Sequence, residues 1–395
     1  MNTITSSPRL STRLLWLLTI GGFFSFFVFG FMDNVRGPTL PDVLRELNLN
    51  YGQGGTIVFA AFLGFLIATS LTGVLADLVG NKVILIISGI CLALGTFIFS
   101  TGNQFMVLFV AMLIVGLGMG AVEVGGNALI VELHQEARGR YLNLLAVFHG
   151  IGALVVPIWA GQMLEASFTW RQVHQFSLTL PILLIVFFVL VRYPRPTSTV
   201  SDGFNWASLR QQGFTGQMRW FYLLLASYVA CEISISTWLV EFLQQTKDFS
   251  VSRSTLYLSL FFAGLMLGRL LGSFIVDRVG YLRSILLAMI GSIVCLIIGI
   301  FGPAGLVFFV SLSGLFLALV FPTTVAAVSE IHTKNTSTIL GVTFTFGGLG
   351  GALGPWIIGF TSDQVGLQLG LALTIVYCII VIAAAIVLQR PKYLT

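Results

Sequence analysis

Carboxylates set in apolar sequence are the residues of this chain best placed to do chemistry. Glu123 lies in GMGAVEVGGNALI with Asn127 one helical turn on, and Glu232 lies in YVACEISISTWL with Ser236 and Trp238 within two turns. Asp33, in GFMDNVR, stands three residues before Arg36, and Arg269 interrupts the apolar run FFAGLMLGRLLG. A charge held at bilayer depth costs roughly 2.5–3.5 kcal/mol on insertion scales, so each of these needs a partner, a proton or water. A carboxyl shielded from water takes up and gives back a proton as its surroundings change, which makes Glu123, Glu232 and Asp33 candidates for carrying H+. Carboxylates and hydroxyls also coordinate Na+, so either ion fits. A carboxylate, a hydroxyl and an indole in one stretch suit a neutral monosaccharide, whose hydroxyls need hydrogen bonds and whose C–H faces stack on aromatic rings. Asn127, Ser236, Trp238 and His149 are therefore candidate contacts to such a solute. Asp33 has a second reading, as the partner of Arg36 in an i, i+3 ion pair that gates or braces the outer mouth. Arg269 has three: counter-charge to a carboxylate, contact to an anionic solute, or a side chain reaching back to the membrane surface.

The elements that must hold these residues follow from composition. Of 395 residues 56% are hydrophobic and only 9% charged, and the mean hydropathy is +0.97, which excludes an ordinary soluble domain. Twelve apolar runs of about 20 residues or more, the first at 14–38 and the last at 367–389, are long enough to cross a ~30 Å hydrocarbon layer as helices. None shows the ten-residue alternation of a barrel strand. The longest polar break, 194–218, separates a six-span unit at 1–193 from another at 219–395 and reads as a cytoplasmic linker, with Trp206 and Leu209 lying along the membrane surface. With the first residue inside, fourteen of the 20 Lys and Arg fall on the cytoplasmic side and four outside, while Arg36 and Arg269 lie within spans. Both termini are thus expected in the cytoplasm of an inner-membrane protein. This scatter of basic residues among loops excludes nucleic acid as a partner. Cys91, Cys231, Cys295 and Cys378 lie in apolar runs without CxxC spacing and read as packing residues. Pro157, Pro322 and Pro355 read as bends.

An internal repeat organises the spans. GVLADLVGNK, Gly73 to Lys82, returns as GSFIVDRVGYLR, Gly272 to Arg283, with Asp77 and Asp277 200 residues apart. FHGIGALVVP, Phe148 to Pro157, returns as FGGLGGALGP, Phe346 to Pro355, at an offset of 198, which Glu132 and Glu330 share. Concordant offsets indicate duplication, and both copies start on the same side, so the repeat is parallel. The offset carries Asp33 onto or beside Glu232, so the two acids are expected at matching heights in one cavity.

GVLADLVGNK resembles the signature loop of the major facilitator superfamily, and its second copy fits that family's two-half design. The resemblance covers the whole chain and implies an all-α membrane protein of two six-helix bundles around a central cavity, with alternating access by rocking of the halves. In it Asp77, Lys82 and Asp277 would be gating or structural residues, together with Arg36 and Arg269. Within that superfamily, the acid four before Asn127, the YVxxExSxSxWL stretch, GRLLG, and Asn143 and Phe148 in YLNLLAVFHGIGA are similar to the fucose and glucose to proton symporter family. That likeness implies a sugar symporter in which Glu123 is a proton or sugar site and Glu232 and Trp238 line the cavity; Asn143 is a further candidate contact to the solute, and a monomer is expected. It departs in the first span, where Gly37 rather than Asp33 aligns with that family's acid when Leu40-Pro41 is the anchor. An exporter of amphipathic compounds on the same scaffold is the alternative. No P-loop, HExxH or nucleophile motif is present, so an enzyme or ATP-driven pump is not expected, nor is any organic cofactor or metal.

Overall fold

A computed structural model of the chain describes residues 11–192, 213–331 and 336–390. The described residues form twelve spans long and apolar enough to cross a membrane. The first six are Thr12–Glu46, Tyr51–Val79, Asn81–Thr101, Phe105–Leu133, Arg138–Glu165 and Trp170–Leu190. The second six are Gly216–Lys247, Val251–Val279, Tyr281–Phe301, Ala304–Ile331, Thr336–Val365 and Leu367–Leu388. Among the described residues there is no strand. Residues 11, 192, 213 and 390 all lie at one end of the bundle, called here the linker end; the opposite end is the far end. Most of the expected linker, with Trp206 and Leu209, lies outside the described residues, and Thr215 caps the seventh span by accepting from the amide of Met218.

Three spans are interrupted, and each break falls three or four residues before a proline. The first parts at Val35 before Pro38, the sixth at Leu178 before Pro181, and the tenth at Ala318 before Pro322. A proline ring clashes with the carbonyl four residues back, which loosens the helix there. Pro157 and Pro355, also expected to bend the chain, instead sit inside helices that stay continuous. The first span runs eight residues beyond its expected end at 38 because Leu40, Val43 and Leu44 are buried. Burial overrides the polar composition of that segment.

The repeat is visible in the coordinates. The second and eighth spans each have 29 residues and the third and ninth each have 21. Gly80 and Gly280 join them at φ 85° and 88°, a conformation that only glycine adopts without strain. Phe23 stacks on Phe148 at 4.8 Å, and their counterparts Tyr222 and Phe346 stack at 4.6 Å. Two apolar cores follow the halves, the second also taking in Leu40, Leu44 and Ala153 of the first half. The halves meet along a seam of small residues. A methyl on Gly37 would come within 2.6 Å of the Ser236 carbonyl, and one on Gly351 within 2.6 Å of Phe62. Such glycines let helix backbones approach closely.

Polar bonds tie the seam in its far half. Arg45 donates to Gln244 at 3.0 Å, and Ser259 donates to the Leu154 carbonyl at 2.9 Å. Asp363, at the end of the eleventh span, accepts from the amides of Tyr51 and Gly52 at 2.9 and 2.8 Å. The second span's own cap, Asn50, serves the next amide, that of Gln53, at 2.8 Å. The first turn of this helix in one half is therefore completed by a carboxylate from the other, a favourable placement of negative charge at a helix start.

Candidate functional site

At mid-depth a small cavity of about 70 Å³ lies on the seam. Asp33 and Asn34 reach it from the first span, His149 from the fifth, Glu232 and Ser236 from the seventh and Arg269 from the eighth. Ile233, Phe262, Leu265 and Met266 supply the apolar remainder. Asp33 and Glu232, 199 residues apart, thus line one space, as the repeat predicts. The volume falls below the roughly 300–1,000 Å³ of ligand pockets, so admitting a solute requires the lining to move apart.

The cavity exists because small residues bring its walls together. Gly30 of the first span lies directly against the backbone of His149, and Gly150 faces the side chain of Met266 across the seam. The His149 ring meets Phe29 edge-on at 4.6 Å, with Asp33 and Arg269 both within electrostatic reach. Asp33 Oδ1 stands 2.9 Å from Arg36 Nη2, and both side chains are nearly buried. The contact is ionic rather than a hydrogen bond, since neither atom has a partner of hydrogen-bond geometry. Arg36 also lies over the Phe62 ring of the second span, 5.2 Å from its centre. Both sequence readings of Asp33 therefore hold geometrically: it lines the cavity and it pairs with Arg36.

Ser236 Oγ donates to the Ile233 carbonyl at 3.0 Å, which leaves its lone pairs facing the cavity as acceptors. Asn34 donates to the Gly30 carbonyl at 2.9 Å and keeps its amide oxygen. Tyr228, fully buried one turn before Glu232, has its hydroxyl within interaction reach of both Glu232 and Arg269. A buried hydroxyl shared by an acid and a guanidinium can donate to the one or accept from the other.

Several predicted site residues lie elsewhere. Trp238 is fully buried, donates from Nε1 to the Pro355 carbonyl at 3.0 Å and packs edge-on against Tyr51 at 5.7 Å. It closes the far half of the seam instead of lining the cavity. Helix geometry gives the reason: six residues beyond Glu232 it is turned about 240° away, whereas Ser236, four beyond, is turned about 40°. Glu123 and Asn127 form their own unit in the fourth span, Asn127 Nδ2 donating to the Glu123 carbonyl at 2.7 Å and to Oε1 at 3.1 Å. Neither is among the residues lining the cavity. Asn143 is exposed on the fifth span, six residues toward the linker end from His149. Lys82 Nζ donates to the carbonyls of Val191 and Val189 at 2.7 and 3.4 Å, so it caps the end of the sixth span within its own half. Asp77 and Asp277 sit in the last turns before Gly80 and Gly280, and their side chains are outside those described.

Two groups escaped the sequence reading. Tyr228 could have been found as the residue one turn from Glu232 on the same face. Glu241 is 3% exposed at the far end of the seventh span, where a carboxylate reads as a solvated span terminus. Its repeat counterpart Asp42, at the 199 offset, was the available signal.

Comparison with known proteins agrees with this architecture. The model of the Major Facilitator Superfamily matches residues 22–305 and 248–394. A "Glucose/galactose transporter" of Brucella abortus is 25% identical over 402 residues, spanning 95% of this chain and 94% of the relative. "Quinolone resistance protein NorA" of Staphylococcus aureus is 31% identical over 166 residues, 41% of this chain and 42% of the relative. Among solved structures, a point mutant of nucleoside transporter NupG superposes with a TM-score of 0.81 at 15% identity, covering 95% of this chain and 100% of that one. A D-xylose-proton symporter gives 0.76 at 15% identity with 95% and 97% covered. FucP in its outward conformation gives 0.64 at 18% identity with 96% and 100% covered.

Proposed function

The chain belongs to the major facilitator superfamily, a multi-pass membrane transporter and not an enzyme, and we propose that it is a proton-coupled symporter of a neutral monosaccharide. The observation that carries this reading is the cavity itself: Asp33 and Glu232 face one space from equivalent positions in the two halves, beside His149, Ser236 and Arg269. Two acids offer proton sites, while Ser236, Asn34 and His149 offer the mixed donors and acceptors that sugar hydroxyls need. Relatives described as glucose/galactose transporter and as D-xylose-proton symporter support the substrate class and the coupling ion. In this reading Glu232 binds the coupling proton, Arg269 and Tyr228 stabilise whichever form it takes, and Asp33 transmits the state of the cavity to Arg36. Glu123, held by Asn127, is a third acid whose part in coupling is tested by Glu123→Gln. The protein acts as a monomer in the inner membrane, with the linker end in the cytoplasm as its loop charges favour.

Uptake of labelled monosaccharides into proteoliposomes under an imposed inward proton gradient is the direct test. Accumulation that collapses with an uncoupler and is lost in Glu232→Gln is the expected result. The same variant should still exchange sugar across the membrane without a gradient, because binding hydroxyls remain. A second reading, extrusion of amphipathic compounds, is favoured by the stretch shared with NorA and by the apolar Phe262, Leu265 and Met266. Gradient-driven extrusion of a lipophilic cation with no sugar accumulation would establish it instead.

A further inference from the structure

A larger recess, about 410 Å³, opens at the far end, away from the central cavity. The first span and the loop after it, Tyr51 of the second, Glu241 and Gln245 of the seventh and Asp363 of the eleventh bound it. It therefore straddles the seam between the halves. Glu241 stands within this boundary, nine residues beyond Glu232, and is 3% exposed. The Tyr51 hydroxyl, from the other half, donates to its Oε1 at 3.4 Å, and its Oε2 has no partner.

Among the described residues no cation forms an ion pair with this carboxyl. Arg45 acts on it through space, but its guanidinium donates to Asp42 at 2.9 Å and Gln244 at 3.0 Å, and its Nε donates to the Pro41 carbonyl at 3.2 Å. Among the described residues its ion pair is with Asp42. The remaining charged groups that face Glu241 and Tyr51 are the carboxylates of Asp42 and Asp363. An ionised carboxyl in this setting would hold a buried oxygen without a partner, with the pull of Arg45 partly offset by the negative charge of Asp42. That penalty disappears if it carries a proton, or if the halves part and water reaches it.

We propose that Glu241 is a proton-binding site that latches the far-end gate, protonated while the seam is closed and ionised once it opens. The recess brings far-side water to the site, and Tyr51 is the contact that breaks as the halves separate. The proton is taken up and returned on the same side, so the latch moves no net charge and is separate from the acids of the central cavity. The idea rests on the proposed function only for the alternating closure of the seam; sugar identity and coupling do not enter it.

Spin labels on Gln104 and Ala304, exposed at the far end of opposite halves, report the gate by pulsed electron resonance in a background with the four free cysteines replaced. No sugar is needed. In the otherwise native protein the short-distance population should fall as the pH is raised from roughly 5 to 9, across the range in which carboxyls and their shifted forms titrate. Glu241→Gln should hold the short distance throughout, with the pH response lost. Tyr51→Phe should keep a pH response while shifting the population toward the open form, which separates loss of the latch from misfolding. An unchanged pH response in Glu241→Gln, or none in the native protein, overturns the proposal. Sugar uptake measured in parallel distinguishes failure of the latch from failure of the symport reading, since either can fail while the other stands.

Discussion

Phe23 and Phe148 stack in the first half where Tyr222 and Phe346 stack in the second, and Gly80 and Gly280 turn the chain at matching angles. Arg171 closes the end of the third span by donating to the carbonyls of Ser100 and Gly102, and its counterpart Gln368 does the same for Ile300 in the ninth. The ionisable residues around the cavity break this symmetry. Arg36 has Ile235 at its equivalent place, His149 has Gly347 and Arg269 has Thr69. Of the residues lining the cavity, only Asp33 and Glu232 keep an acid in both copies, and of the two only Asp33 has an ion-pair partner in its own span among the described residues. Duplication preserved what builds each bundle and let the charged chemistry diverge, so the lining of the cavity is asymmetric inside a nearly symmetric shell.

The strongest way to break that contrast is to neutralise the two acids separately. Asp33→Asn strands Arg36 as a buried unpaired charge and should destabilise the protein by about 3–5 kcal/mol in thermal unfolding. Glu232→Gln, with no such pair to break, should cost under about 1 kcal/mol while abolishing gradient-driven accumulation. Equal losses of stability would mean the halves are not chemically distinct here.

A second experiment acts where the copies touch each other. Gly37 and Ser236 are counterparts at the 199 offset, and a methyl on Gly37 would meet the Ser236 carbonyl. Gly37→Val should therefore push the first and seventh spans apart at a cost of about 1–3 kcal/mol to the closed far end. Distance measurements across that end would read the shift. Ser236→Gly should leave the distance unchanged.

The symmetric features predict matching effects. Gly80→Ala and Gly280→Ala each place a side chain at strongly positive φ and should each cost about 1–3 kcal/mol, agreeing within roughly 0.5 kcal/mol in unfolding experiments. A tolerant member of the pair would show that the turns serve different ends. The smallest expected difference is that between the two helix-end contacts. Arg171→Ala removes charge-assisted bonds worth about 1.5–3 kcal/mol, while Gln368→Ala removes a neutral one worth about 0.5–1.5 kcal/mol. Lys247, which also donates to Ile300 and Gly302, should soften the second loss further.

The twelve spans, their division into halves and the parallel repeat were all legible in the sequence, because hydropathy and a fixed offset are properties of the chain alone. So was the meeting of Asp33 with Glu232, since pseudo-symmetry converts sequence distance into height. What the sequence concealed depended on rotation about a helix axis. Trp238 and Ser236 are two residues apart, yet one braces the seam and the other faces the cavity. Glu123 looked equivalent to Glu232 in being an acid among small residues, but it pairs with Asn127 on the fourth span, which contributes nothing to the lining. Glu241 was missed because position along the span, without the opposing half, gives no sign that a terminal carboxylate is buried.

The cap that Asp363 places on the second span has a consequence for waiting time. While the far end is shut, the amides of Tyr51 and Gly52 are held by a carboxylate from across the seam. Opening releases both to water and leaves that helix to begin on Asn50 alone, at a cost on the order of 1–2 kcal/mol. Taken alone, this contact favours the shut far end by roughly five- to thirtyfold. The Asp363 side chain therefore acts as a brake on every reopening of the far end, in proportion to the two amides it must release.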